Sequence, residues 1–529
     1  MNALNVKAIV SILFGVSLGL YVMVEVLLAR TSSLGQLYLF VAVGAFIYGL
    51  NNPKNAIYVM LFCTVYIDVF KRLMVVGGNP TFTDVAYILA IPPLLIGGAV
   101  TSVFLGYTVG RKKITKDIVY ALIVSIIVVA VSSLGVMVGE GATTSKLSSV
   151  VNVGFYSFMF FLVPALFPDE EQRRRLLHYS FLLVIPAVIY TFWQKKHGYA
   201  DFEMAYLMSG LTIEAKNLVE SAGGEFRCFS TFNGAGPAST MFSIFFLSCF
   251  VPLRPGNATP STFQRMGKWL LAPLFLLAAY YTIIRTGWVG GIGCLLAYVF
   301  LGSKARAYSG TLAAVVGVLF LILSAPTAIK NNWLSQIETV LKDSVGLITD
   351  DPTVKRAIIM GTAGDRLHGW ANLTQEPKIW QPFGFKFSNI SVKNTSNANF
   401  SWGHDAIIGS LIEFGYIPLA LILIFGAYCY YKLLQFMFGL DRNSQAFKNC
   451  RLCLAFSAAL VVGGLGHAST FRNFPQNFYF CLWLAIPFAS YQQAMRERKE
   501  ARQTKPIDAA PNGSYPALAH ASRVGMSGQ

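Results

Sequence analysis

Apolar runs recur along this chain from residue 8 to about residue 491, separated by short polar stretches. They fall at about 8–28, 35–50, 55–70, 84–106, 117–138, 148–167, 177–194, 236–253, 269–284, 287–302, 309–329, 406–431, 451–468 and 476–491. A bilayer core takes roughly 20 apolar residues per helix. The pattern therefore predicts an all-α integral membrane protein with about fourteen transmembrane helices. The first run carries Glu25 and lacks a small-residue cleavage pattern, so it reads as an uncleaved span.

Two hydrophilic stretches interrupt the rhythm, at about 195–235 and 330–405. The second separates the eleventh span from the twelfth and is rich in aromatics, among them Trp333, Trp370, Trp380 and Trp402. Disordered segments are poor in aromatics, so this loop reads as an ordered cap. Asp365 can cap a short helix running to about Leu373, with Arg366 and Trp370 on one face at i,i+4 spacing. The chain then divides into a bundle of eleven spans (1–329), the cap (330–405), three last spans (406–491) and a flexible tail (492–529).

Composition narrows the class. Residues of the apolar set make up 54% of the chain and charged residues 13%, half the share of an average soluble domain. A soluble enzyme, a disordered chain and a disulfide scaffold are excluded. The 42 Lys and Arg exceed the 25 Asp and Glu, giving a net charge of +17. Nucleic acid is not the expected partner of such a chain. With alternating spans, Arg111–Lys113, Arg173–Arg175, Arg254, Arg265, Lys304, Arg306, Lys432, Arg442, Lys448, Arg451 and the tail cations all share one side. That side is the cytoplasm by the positive-inside rule. The cap and the 195–235 loop then lie on the other. An anionic lipid-linked substrate is a second, compatible reading of the charge.

The eight cysteines show no CxxC spacing and read as small buried hydrophobes. The six histidines show no metal-ligand spacing. No phosphate loop, HExxH or GxSxG is present, and neither a metal nor a cofactor is expected.

The candidate chemistry is a set of cationic residues near span ends on the non-cytoplasmic side. Arg227 stands in RCFSTFNGAGPAS, Arg285 in IIRTGW, Arg366 in DRLHGWANL, His404 in GHDAIIGSLIEFGYIPL, and Arg472 after the thirteenth span. Arginine offers a planar fork of donors suited to phosphate oxygens. Each has a structural alternative. A lone arginine at a helix end can snorkel to headgroups, Arg227 can pair with Glu225, and His404 can cap its helix beside Asp405. Glu413 lies two turns into the expected twelfth span and needs either a wet cavity or an interhelical hydrogen bond.

In their order, these motifs resemble the superfamily of bacterial O-antigen ligases and O-antigen or exopolysaccharide polymerases. The likeness runs from about 222 to 431. This chain departs from the family pattern with His404-Asp405 in place of His-Asn and Ile284-Arg285 in place of Ser-Arg. The resemblance implies a metal-independent membrane glycosyltransferase of the bacterial inner membrane, with its site on the periplasmic face. Its donor would be a glycan on undecaprenyl diphosphate and its acceptor a glycan or lipid A-core. Possible companions are a flippase and a chain-length regulator. His404, Arg227 and Arg366 would be catalytic; Arg285, Trp370, Glu413 and Arg472 would bind substrate. His404 would accept a proton, orient the acceptor or bind a phosphate. A polymerase is the first expectation and a ligase the second. A flippase or transporter, the reading from another class, would show charges deep in several spans and an internal repeat. Segments 1–230 and 231–491 do not mirror each other.

Overall fold

The computed structural model describes residues 6–17, 32–78, 80–109, 115–138, 154–209, 211, 227–251, 262–304, 380–384, 410–411, 414–464 and 474–503. Among the described residues the chain is all-helical, with no strand. In chain order the helices are α1 (Val6–Ser17), α2 (Ser33–Asn51), α3 (Pro53–Leu73), α4 (Phe82–Thr108) and α5 (Lys116–Val138). Next come α6 (Met159–Leu166), α7 (Glu170–His197), the short α8 (Asp201–Met208) and α9 (Ala235–Phe246). The last are α10 (Thr262–Tyr281), α11 (Arg285–Phe300), α12 (Tyr416–Phe438), α13 (Gln445–Gly464) and α14 (Gln476–Gln503). The expected eleventh span, nearly all of the cap and its helix from Asp365 lie outside the described residues.

Five of these helices are long and apolar enough to cross a membrane: Leu34–Asn51, Thr83–Thr108, Glu170–His197, Tyr416–Phe438 and Gln445–Gly464. Their outward faces carry exposed aliphatic and aromatic residues such as Leu37, Phe40, Leu182, Ile189, Leu421 and Ile424. Such a wall is unfavourable in water and suits acyl chains.

Local signals set the helix ends. Thr81 and Asp84 form a reciprocal capping box at the start of α4, and Asp84 Oδ1 also accepts from the Ser32 amide. One carboxylate thus ties the starts of α4 and α2 together. Helix α7 extends past the expected 177–194. Glu170 and Glu171 occupy its first turn and Lys195, Lys196 and His197 its last, which complements the helix dipole. Gly198 then ends it at φ +82°. Helix α14 likewise runs beyond 491, as a polar extension whose Arg496 pairs with Asp117. The twelfth span differs most. Gly415, at φ +82°, interrupts it: α12 begins at Tyr416, while Ser410, Leu411 and Phe414 just before the glycine are also helical.

Small residues let the helices approach closely. A side chain added at Gly49 would strike the Leu95 carbonyl of α4, and one at Gly98 the Phe46 carbonyl of α2. Gly287 and Gly291, one turn apart on α11, lie against Ser239 and Ser243 of α9. This is the packing expected where lipid, not water, surrounds the bundle. Helix α9 is buried over its whole length from Ala235 to Phe245. Beside it, Phe245, Phe456, Tyr479 and Trp483 form an aromatic centre with ring centroids 4.8–6.0 Å apart.

One end of the bundle is basic and tightly bonded. Arg173 donates to the Phe167 and Pro168 carbonyls at 2.8 and 2.7 Å, to Glu170 at 2.7 Å and to Gln493 at 2.5 Å. Arg174 bonds Asn449, Arg451 bonds the Tyr298 carbonyl, and Gln492 bonds the Asp117 carbonyl. These contacts gather the starts of α5, α7 and α13 with the ends of α11 and α14.

Candidate functional site

The opposite end is organised by the last turns of α3. Asp68, Lys71 and Arg72 follow at i, i+3 and i+4 on one face of an otherwise apolar helix, and all three are buried. Buried charges need partners, and each has them. Lys71 pairs with Asp68 at 2.6 Å and donates to Asn233 at 2.5 Å. Arg72 Nη1 meets Glu203 at 3.1 Å and the Ser230 carbonyl at 2.7 Å, while Nη2 donates to the Phe232 carbonyl. Its guanidinium also lies 4.0 Å from the Phe229 ring centroid.

Glu203 is fully buried on α8. Gln194 of α7 donates to both its oxygens at 3.0 Å, and the Ala200 amide donates at 3.1 Å. Gln194 Oε1 accepts from the Ser230 amide at 2.8 Å, and Ser230 Oγ donates to the Ala187 backbone carbonyl at 2.5 Å. Tyr199 stacks on Phe229 and donates to the Arg227 carbonyl at 2.7 Å. The irregular run Arg227–Gly234 is therefore held by three helices.

A second irregular turn docks beside it. The Cys228 amide donates to the Tyr281 carbonyl at 3.2 Å, and Ser239 Oγ to the Ile284 carbonyl at 3.1 Å. The start of α11, at Arg285, thus sits against the Arg227 segment. Among the described residues, the non-glycines with positive φ are Ser230 (+54°) and Ile283 (+56°), one in each turn. Left-handed backbone is costly for a β-branched residue, and such strain tends to collect at functional sites.

The electrostatics follow burial. The Cys228 thiol is pushed up to about 12 by desolvation, with Lys195 opposing and Glu203 adding to the shift. Desolvation also raises the Tyr199 hydroxyl, reinforced by Cys228 and Glu203, while Arg72 and Arg227 draw it back. Neither group is ionised near neutrality.

The sequence candidates divide as follows. Arg227 and the backbone of Arg285 come together at this end. His404, Arg366, Trp370, Glu413 and Arg472 lie outside the described residues. One piece of the cap, residues 380–384, is described. Its Gln381 and Pro382 carbonyls accept from the Tyr416 and Ile417 amides at 3.1 and 3.3 Å. Phe436, towards the other end of α12, packs on Tyr491, next to the Gln492 of the basic end. Residues 380–384 are thus tied to the start of α12, away from the end of that helix that carries Phe436. The sequence reading missed Arg72, Lys71, Gln194, Glu203 and Asn233. The signal for the first two was present, since Asp68, Lys71 and Arg72 interrupt an apolar run at helical spacing.

Compared with protein-family models, curated proteins and solved structures, the chain matches none. The site's chemistry therefore rests on its own residues. Arg227 lies on a segment with little freedom to move, beside the start of a helix that opens with a second arginine. An arginine on so constrained a segment, at one end of an apolar bundle, suits an anion at headgroup depth.

Proposed function

We propose that this chain is a multi-pass glycosyltransferase of the bacterial inner membrane that moves glycan from undecaprenyl diphosphate to an acceptor hydroxyl, polymerising exopolysaccharide or O-antigen repeat units. The observation that carries this reading is the docking of the Arg227 segment onto the turn before Arg285, through the Cys228 and Ser239 hydrogen bonds. The sequence motifs and their order support it. In this reading about fourteen spans cross the bilayer. The basic end faces the cytoplasm, and the Arg227 end and the 330–405 cap face the periplasm.

In the reaction, the bond from the anomeric carbon to the diphosphate oxygen breaks and a bond from the acceptor oxygen forms. His404 takes the acceptor's proton. Negative charge collects on the departing diphosphate, where Arg227, Arg366 and Arg285 stabilise it. Trp370 stacks on a sugar ring, while Glu413 and Arg472 line the substrate path.

A deletion strain analysed for its glycans tests the activity. Single repeat units left on the carrier or core support the polymerase. Full-length polymer stranded on the carrier makes the chain a ligase, and unchanged glycans overturn both. Orientation is tested with Lys196→Cys and Arg442→Cys, exposed residues at opposite ends. In intact spheroplasts an impermeant maleimide should label the first and spare the second.

A further inference from the structure

We propose that Arg72 and Glu203 are positioning residues for Arg227: the pair clamps the backbone from Phe229 to Phe232 and so fixes where the Arg227 guanidinium stands. The activity arm of this inference rests on the reading above; its structural arm does not.

The bonding pattern argues for positioning rather than for substrate contact. Arg72 spends both terminal nitrogens on protein acceptors, namely Glu203 and the Ser230 and Phe232 carbonyls. Glu203 is filled in turn by Arg72, by both bonds from Gln194 and by the Ala200 amide. The pair is neutral as a unit and fully buried, so it offers an anion no charge of its own. What it does offer is purchase on a strained turn. Ser230 keeps φ +54° while Arg72 grips the carbonyls of Ser230 and Phe232, and Gln194 grips the amide of Ser230. An unfavourable backbone conformation persists only when its surroundings over-determine it. Three residues upstream, Tyr199 takes the Arg227 carbonyl and rests on the same Phe229 ring that faces Arg72. The clamp therefore ends at the residue whose side chain would meet the diphosphate. Lysine could keep the ion pair with Glu203 but not the planar fork that reaches two carbonyls at once.

The test uses the full-length protein with Arg72→Lys and Glu203→Gln, and Arg173→Lys as a buried arginine at the other end. The first readout is peptide-resolved maleimide modification of native Cys228, fully buried one residue from Arg227. Both clamp variants should raise its rate about tenfold or more, by local opening, and Arg173→Lys should not. The second readout is steady-state transfer from a lipid-diphosphate-linked glycan. Arg72→Lys should lower kcat about 100-fold with KM near wild type, as expected for a misplaced catalytic group. Arg173→Lys should leave kcat per folded molecule unchanged, which a purely structural role for Arg72 would also predict of Arg72→Lys. Protection of Cys228 retained in both clamp variants overturns the inference, whatever the activity. Cys228 opened with transfer unchanged overturns the role given to Arg227 and leaves the clamp standing as a structural device. If Arg72→Lys does not accumulate, Glu203→Gln decides the labelling arm, because its amide keeps the volume and an oxygen facing Arg72.

Discussion

At the basic end, Arg173 bonds the carbonyls of Phe167 and Pro168 and the carboxylate of Glu170, all within six residues of itself, and adds Gln493. At the other end, Arg72 bonds groups 131 to 160 residues away. Both guanidiniums are buried and both take backbone carbonyls. The first fastens the entrance of a regular helix, α7, where the chain would turn in any case. The second holds an irregular segment with a left-handed serine. Helix caps are local and robust, whereas a strained turn held by distant partners needs a dedicated structure around it. That contrast is why the Arg72 end, and not the more strongly basic end, is the better candidate for chemistry.

Breaking the contrast should give different kinds of loss at the two ends. The largest effect is expected for Arg227→Ala. Transfer should fall about 100- to 1000-fold, the range for losing one preorganised donor to a developing oxyanion. Denaturation should leave its stability near wild type; equal activity in wild type and variant at matched protein levels would remove the distinction between the ends. Arg173→Met should instead cost about 3–5 kcal/mol of stability, because Glu170 and two carbonyls lose a buried partner. Transfer per folded molecule should be unchanged, and denaturant titration alongside the assay separates the two.

Gly287→Ala sharpens the comparison from the packing side. Its new methyl would press on Ser239 and push α11 away from α9, at about 1–3 kcal/mol. Because Arg285 opens the same helix, transfer should fall along with the melting temperature. Gly44→Ala on α2, which meets nothing within 4 Å, should stabilise by about 0.5–1 kcal/mol and leave transfer alone. The smallest effect belongs to the exposed Arg175–Glu171 pair at 2.5 Å, with side chains 58% and 54% exposed. Arg175→Ala should move stability by less than about 1 kcal/mol in a thermal scan.

Much of the framework was legible in the sequence. Apolar runs overlap the long helices that are described, though not α8, and Arg173, Arg174 and Arg451, among the cations expected on one side, do lie at one end of the bundle. The run around Arg227 and the turn before Arg285 were singled out from residue type alone. Helix ends were less legible. Gly198 and the acidic start of α7 act through hydrogen bonds and the dipole, which a hydropathy window averages away. Gly415 was counted as part of a continuous span, although its φ of +82° marks where α12 begins.

By itself, then, the sequence determined the helical class and the apolar exterior, because both depend on composition and on a period of 3.6 residues that local chain geometry imposes. The tertiary structure alone decided that Arg72 would find Glu203, that Gln194 would read the Ser230 amide, and that the Arg227 and Arg285 turns would dock. A buried charge takes whichever partner the packing brings within reach, and for Arg72 those partners are more than a hundred residues distant along the chain. No local pattern encodes that choice; it is made when α3, α7, α8 and the segment before α9 close on one another.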